Sequence, residues 1–527
     1  MLNIQKKMSN AFMALLSLPA TAMGFGLSVQ IAALSWILST RYGLDISQIG
    51  IVWAAGPIAG IVAQPIVGLI SDKLWFMGGR RRPWIVIGGI LTGLMLLALP
   101  NLGIIQEVCG AHGPEGLLVI AVTVALTLDL SINVSFNPTR SLIADCTPAS
   151  DRSRGYTWMQ TVSGTCGVLA YLISVIWGNI VLIYVGVGVA LLFTLVPIFF
   201  IEEPRTLDNQ KAIEDGKTEP QAKSKSSLGD VLSTLFPLAG FLIYGIYVIV
   251  AKLFGFADNS QISIFGWFTL NTVELICVLV EIVAIVMVLT NVLRETSNNN
   301  EFQKILLAHS FTWWGVQTMN IYMVFYVLNV ILNVPSDVLA ITDKVLKQEQ
   351  ISAAMTLISD PALINLKNFL GTIGKSGLDE ALPSIAFLVR DLVGALLPVL
   401  VLNVIAKRRG MTMTHTCSIL LMAIGYALIW LYGSNIIVFF AALCVVGIGW
   451  ASLVSLPFAI MSEKVDQTKM GLYMGIFNLS VVLPQLVASF KMGEVVNAAA
   501  DKSIIFAICA VCLAISGLLW SFVKNDK

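Results

Sequence analysis

The chain has 527 residues, 57% of them hydrophobic and 12% charged, with a mean hydropathy of +0.84. Such a composition excludes a soluble globular domain and a disordered chain, and leaves a polytopic protein whose surroundings are a lipid bilayer. A net charge of +1 gives no reason to expect nucleic acid or an acidic macromolecule as partner.

Lys6 and Lys7 precede a long apolar stretch with no small-residue cleavage site, which reads as a retained first span rather than a signal peptide. Apolar runs of about 20 residues, the length that crosses a bilayer, then fall near 12–38, 46–70, 84–106, 117–140, 156–177 and 180–201. A polar stretch follows, then two further runs near 235–256 and 268–292, then six more near 304–333, 382–406, 411–432, 435–460, 468–490 and 503–523. The expected architecture is all-α with about 14 spans: a six-helix bundle over 1–201, a linker over 202–234, an inserted hairpin over 235–303 and a second six-helix bundle over 304–527. Within the last, residues 335–381 form an outer loop in which amphipathic stretches such as Val338–Ala353 predict short surface helices. Lys and Arg collect in alternate loops, which by the positive-inside tendency places both termini in the cytoplasm. Short loops lean towards a bacterial inner membrane, and the protein is expected to be monomeric.

The fourth run holds the feature that most needs a reason. Asp129, Asn133, Asn137 and Arg140 recur at i, i+4, i+8 and i+11, so on a helix they share one stripe in an otherwise apolar rod. A charge at mid-bilayer costs about 2.5 to 3.5 kcal/mol on insertion scales and must face protein or a water-filled cavity. A site for a proton or a polar substrate is the first reading; a buried ion pair that only locks helices is the second. In the second half, Trp313, Gln317 and Asn320 continue from His309 with the same spacing, and Tyr322 lies nearby. Two such stripes suggest facing walls of one site, with aromatic surface for the apolar face of a sugar and amides for its hydroxyls. His309 reads as a satisfied helix-end residue rather than a ligand. Arg390 and Asp391 form a second intramembrane pair: Arg390 is expected to bind substrate hydroxyls, to pair with Asp129, or to pair with Asp391. In the hairpin, Lys252 and Glu274 are expected to form an ion pair, and Glu281 has no obvious partner.

The halves read as parallel copies. Pro138, Asp145, Arg154, Gly155 and Tyr156 are answered by Pro457, Glu463, Lys469, Gly471 and Tyr473, with spacings that differ by one to three residues. Internal repetition of this kind marks transporter folds that hold substrate near the midplane. After the second span, Gly68 and Asp72 precede Arg80, Arg81 and Arg82. Positive-inside charge accounts for the arginines but for neither the glycine nor the aspartate. This loop resembles the signature of the major facilitator superfamily.

The resemblance narrows on further residues. Phe25-Gly26, Gln30, Gly56-Pro57, Gln64-Pro65, Pro83-Trp84, Leu128-Asp129, Asn133, Arg140 and Ala144-Asp145 are similar to the sucrose transporter family, a branch of the glycoside, pentoside and hexuronide cation symporters. Leu456-Pro457-Phe458-Ala459, Gly475, Asn478, Pro484 and Gln485 extend the similarity into the second half. The inserted hairpin and the long outer loop depart from it. The resemblance implies a secondary active transporter that imports a glucoside disaccharide of the maltose or sucrose type with protons, without cofactor or metal. It places Asp129 as proton acceptor, with Arg390 and Asp391 in the coupling machinery. Gln30, Asn133, Asn137, Trp313, Gln317, Asn320 and Asn478 are the candidate sugar contacts. Gly68, Asp72, Arg80, Arg81, Arg82, Arg140 and Asp145 are the candidate cytoplasmic charge network.

Three other classes fit the sequence less well. Sodium coupling wants several oxygen ligands close together, and only Asp129 and Asn133 lie near one another on one helix. A membrane enzyme would need paired acid and base, a nucleophile with its base, or a metal cluster, and no such spacing occurs, so the chain is not expected to be an enzyme. A sugar sensor on a transporter fold carries no signalling domain of its own here. The eight cysteines fall mostly in apolar runs without metal-ligand spacing and read as small hydrophobes.

Overall fold

Backbone N–H and C=O groups in a bilayer must be satisfied within the chain, which for single apolar runs means helices. The computed structural model describes residues 5, 7–61, 67, 74–111, 113–148, 151–204, 233–256, 260–264, 268–294, 300–341, 343–374, 377–397, 401–465 and 470–524. Among them, ten helices are long and apolar enough to cross a membrane, and two shorter apolar helices, Ile46–Ile61 and Ile504–Trp520, fall on the second and last expected spans. The remaining two expected spans are helices α10 (Asn300–Tyr326), which is rich in polar residues, and α14 (Leu378–Leu397), which carries the charges of Asp379, Glu380, Arg390 and Asp391.

The other elements, in chain order, are α1 (Asn10–Trp36), α2 (Ile46–Trp53), α3 (Arg82–Ala98), α4 (Leu102–Val108), α5 (Gly113–Cys146), α6 (Arg152–Trp177), α7 (Asn179–Phe200), α8 (Ala239–Phe254) and α9 (Thr272–Arg294). After α10 come α11 (Ser336–Ala340), α12 (Lys344–Thr356) and α13 (Pro361–Ile373). Following α14 are α15 (Asn403–Arg409), α16 (Met411–Tyr432), α17 (Ile436–Ser455), α18 (Pro457–Lys464), α19 (Met470–Ala498) and α20 (Ile504–Trp520). The stretch Val338–Ala353, where short helices are expected, falls in α11 and α12, and Asp343 starts α12 by accepting from the Val345 and Leu346 amides at 2.9 and 3.1 Å.

The repeat is visible in the helices themselves. Both α1 and α10 run for 27 residues and close in a five-residue π turn, Ile37–Arg41 and Val327–Ile331. It breaks at the prolines: α5 runs through Pro138, whereas Pro457 starts the separate helix α18 after a bend at Leu456.

Two compact units make up the chain. The first holds Met1–Leu44, Ile58–Ala222 and Ile341–Leu388, the second Asp45–Pro57, Lys223–Ala340 and Val389–Lys527. These cut across the expected bundles, and close backbone approach explains both exchanges. A Cβ on Gly50 of α2 would stand 2.1 Å from the Ser489 carbonyl oxygen of α19, and one on Gly374 would stand 1.8 Å from that of Ile176.

In the first unit α1 packs on α6 and α7, and α3 on α5 and α7. Phe12, Leu16, Ile85, Leu142, Ile143 and Met159 form a core at one end. In the second, α10 packs on α19 and α20, and α16 on α17 and α20, with the hairpin α8–α9 laid against α19 and α10. The hairpin tip carries a short antiparallel pair, Ile262–Ile264 with Phe268–Leu270. The expected ion pair of Glu274 with Lys252 is not what forms. Glu274 pairs with Lys491 of α19 at 2.7 Å while Lys252 is exposed, since α8 lies on α19 and brings Glu274 to that helix. Glu281 has a partner within the hairpin after all: the Gly240 amide donates to its Oε2 at 3.0 Å.

Candidate functional site

Asp129 sits midway along α5 and is 4% exposed. The Gln30 amide of α1, itself 3% exposed, donates to Asp129 Oδ2 at 3.0 Å. One turn on, Asn133 Nδ2 donates to the Asp129 backbone carbonyl at 2.8 Å. Among the described residues no cation pairs with Asp129. The helices that hold it are pinned close by: Thr92 of α3 and Ser131 share a hydrogen bond of 2.8 Å. Gly88 leaves room for Ser135, whose hydroxyl a Cβ there would meet at 1.9 Å. The side chain of Asn137 lies outside the described residues.

The second unit carries a polar cluster of its own. Arg390 of α14 is fully buried. Its Nε donates to Asp391 Oδ1 at 2.6 Å and its Nη1 to Asn320 Oδ1 of α10 at 2.7 Å. Of the three expected pairings for Arg390, the structure makes the one with Asp391. Trp450 of α17 lies against the guanidinium, 4.3 Å from ring centre to guanidinium carbon. Trp313 Nε1 donates to His309 Nε2 at 2.9 Å, and His309 Nδ1 meets Ser480 Oγ at 2.8 Å. His309 is therefore satisfied, as expected, but from within α10 rather than at its end. Trp313, Gln317 and Asn478 are each partly buried. Asp129, Gln30 and Asn133 thus come together in one unit, and Arg390, Asp391, Asn320 and Trp313 in the other.

The arginine run opens α3. Glu203, just past the end of α7, accepts from the backbone amides of Arg80, Arg81 and Arg82 at 2.7, 2.9 and 2.7 Å. A carboxylate at a helix start satisfies orphan donors and complements the helix dipole. Arg81 Nε pairs with Asp145 Oδ2 at 3.0 Å, while the Arg82 guanidinium donates to the Ile198 and Gly78 carbonyls. Arg140 does not join them: it is exposed, with its guanidinium 4.2 Å from the ring centre of Phe136 one turn before it. Gly68 and Asp72 lie outside the described residues.

Sequence reasoning missed Trp450 and Glu203. Trp450 stands in an apolar run where an indole looks like packing, and Glu203 adjoins Glu202 at a span end, where acidic residues are ordinary.

The sequence profile of the Major Facilitator Superfamily matches residues 16–359. The chain belongs to that superfamily. It is a multi-pass integral membrane protein. A general alpha-glucoside permease of Schizosaccharomyces pombe is 30% identical over 155 residues, which are 27% of this chain and 28% of that protein. A sucrose transport protein of Oryza sativa subsp. japonica is 32% identical over 153 residues, again 27% of this chain and 28% of its own. The matched stretch thus spans 28% of the length of either relative. Among solved superfamily structures, the xylose transporter XylE of E. coli aligns with a TM-score of 0.58 at 13% identity, over 98% of this chain and 97% of its own. The POT family transporter PepTSo aligns with a TM-score of 0.59 at 9% identity, over 98% and 99%. At such identities these two speak for the fold alone.

Proposed function

We propose that this protein is a secondary active transporter that imports a glucoside disaccharide of the maltose or sucrose type with protons, by alternating access across a bacterial inner membrane. It acts as a monomer of fourteen spans, six and six around the inserted hairpin, with both termini in the cytoplasm. The observation that carries the reading is Asp129: a carboxylate at the middle of a span, buried, hydrogen-bonded to the Gln30 amide and without a paired cation among the described residues. Such a group takes up and releases a proton at a membrane-buried site. Similarity to alpha-glucoside and sucrose transporters supports the substrate class.

In the proposed cycle Asp129 binds the proton, with Gln30 as its hydrogen-bond partner. Asn133, Asn137, Trp313, Gln317, Asn320, Asn478 and Gln30 form the sugar contacts. Arg390 is the charged donor to sugar hydroxyls, held by Asp391. The cluster of Gly68, Asp72, Arg80, Arg81, Arg82 and Asp145 ties helix ends on the cytoplasmic side, and Arg140, which lies against Phe136, stands outside it. One proton falling through about 100 mV releases about 2.3 kcal/mol, enough for roughly 50-fold accumulation at about 1.4 kcal/mol per decade.

The test is uptake of radiolabelled maltose and sucrose into vesicles under an imposed pH gradient, with Asp129→Asn alongside. Uptake that needs the gradient, and a variant that exchanges sugar but no longer concentrates it, are expected. Accumulation that follows a sodium gradient instead replaces the proton as coupling ion, and a variant that still concentrates sugar removes Asp129 from coupling. Absence of uptake for both sugars reopens both the substrate class and the sensor reading.

A further inference from the structure

Arg390 is gripped from several sides, and one grip comes from a helix that the polar stripes do not touch. Gly447 of α17 lets that helix lie close against α14: a Cβ there would stand 2.6 Å from the Val393 Cβ and 3.0 Å from the Arg390 carbonyl. Three residues further along α17, Trp450 slides under the guanidinium. Gly394, one turn past Arg390, leaves the space the indole occupies, since a Cβ on it would stand 2.6 Å from Trp450 Cδ1. The result is a guanidinium 4.3 Å from the ring centre, with Asn320 and Asp391 taking its N–H groups at 2.7 and 2.6 Å. An ion pair alone leaves a guanidinium free to pivot about the carboxylate. A ring face beneath it fixes the plane as well.

Trp450 also meets Trp313 edge to face, with centroids 6.4 Å apart and planes at 76°. Trp313 is fixed in turn. Ser480 Oγ donates to the Phe477 carbonyl at 2.6 Å, so it accepts from His309 Nδ1–H, and His309 Nε2 is left to accept from Trp313. The His309 ring stacks on Phe477 at 4.3 Å between centroids. The chain Trp313, His309, Ser480, Phe477 carbonyl has one donor direction throughout.

We propose that Trp450 is a positioning residue for sugar recognition, setting the plane of the Arg390 guanidinium through its indole face, while Trp313, clamped by His309 and Ser480, forms the adjoining aromatic edge. This rests on the transport reading above. Sugar hydroxyls need donors in a fixed plane more than they need charge, and pyranose C–H surface packs on indole. Trp450 therefore acts on affinity through Arg390 rather than on the coupled proton.

Site-specific replacement of Trp450 by mono-, di- and trifluorotryptophan keeps shape and packing while stripping negative charge from the ring face. Maltose uptake by each full-length variant, measured in vesicles, is expected to show KM rising about two- to threefold per fluorine with maximal rate nearly unchanged. Trp450→Leu is expected to raise KM about 30-fold, and Trp450→Phe to recover most of that loss. A KM that stays flat across the fluorinated series, while the unsubstituted protein takes up maltose, overturns the role of Trp450 and leaves transport standing. An unsubstituted protein that takes up neither maltose nor sucrose removes both readings together.

Discussion

Asp129 is held by an amide rather than by a guanidinium, and that choice of partner has a consequence for transport. A cation beside a carboxylate would keep it charged through the cycle. An amide donor supports the charged form without adding a charge of its own, so the site can be emptied and refilled. Gln30 is then more than a wall residue. Hydrogen bonds to charged groups contribute about 1.5 to 3 kcal/mol, so Gln30→Leu is expected to lower gradient-driven uptake at least about tenfold. Gln30→Asn, shorter by one methylene, should lose most of the same rate because its amide falls short of the 3.0 Å contact. Initial uptake rates in vesicles check both, with reconstituted amounts matched. Asp129 and its stripe were legible in the sequence because a charge inside an apolar run is costly and therefore rare. Trp450 was not, because nothing in the order of residues says that Gly394 and Gly447 bring its face to Arg390.

Helix ends and helix pairs rest on carboxylates that the loops supply. Glu203 takes three consecutive amides at the start of α3, and its removal leaves them without that acceptor. Glu203→Ala is expected to cost about 1 to 3 kcal/mol, read as a lowered midpoint of thermal unfolding in detergent. The hairpin is fastened in a different way. Glu274 and Asn271 cap α9 reciprocally at 3.0 and 2.8 Å, which aims the Glu274 carboxylate at Lys491 of α19. Both side chains of that ion pair are largely buried, at 10% and 8% exposure for Lys491 and Glu274. Breaking one partner of such a pair costs about 3 to 5 kcal/mol, whereas replacing both by apolar groups is often neutral. Lys491→Met should therefore destabilise strongly, and Lys491→Met with Glu274→Leu should recover most of the loss; equal destabilisation in single and double variants would show that the pair does not fasten the hairpin. The existence of the hairpin was plain from two apolar runs, but its attachment was not. Lys252 was the basic residue expected near the level of Glu274 in the hairpin, and only the packing of α8 on α19 brings Lys491 closer.

At the scale of the whole chain, the first unit draws on residues far apart in sequence. Ser174 at the end of α6 bonds to Asn179 Oδ1 and to Ser384 Oγ of α14, both at 2.6 Å, and Ser384 lies 210 residues further along the chain. The Glu380 carboxylate, one turn before Ser384, accepts from the Asn179 amide at the start of α7. Positive φ at Gly178 makes the sharp turn that exposes that amide. Alternating access requires contacts between the two sequence halves to form and break once per cycle. A cluster of small hydroxyls and one carboxylate suits that task, because each bond is modest in net worth and water can replace it. With Ser174→Cys and Ser384→Cys together, the two sulfurs would stand where the hydroxyls now approach within hydrogen-bonding distance, close enough to cross-link. Oxidation is expected to join them and to abolish more than about nine-tenths of sugar uptake, with recovery on reduction, while either single variant keeps transporting after the same treatment. Mass spectrometry of the cleaved protein establishes the cross-link independently of uptake. Full transport with the disulfide shown to be in place would mean that this cluster stays closed throughout the cycle, and that the moving contacts lie elsewhere.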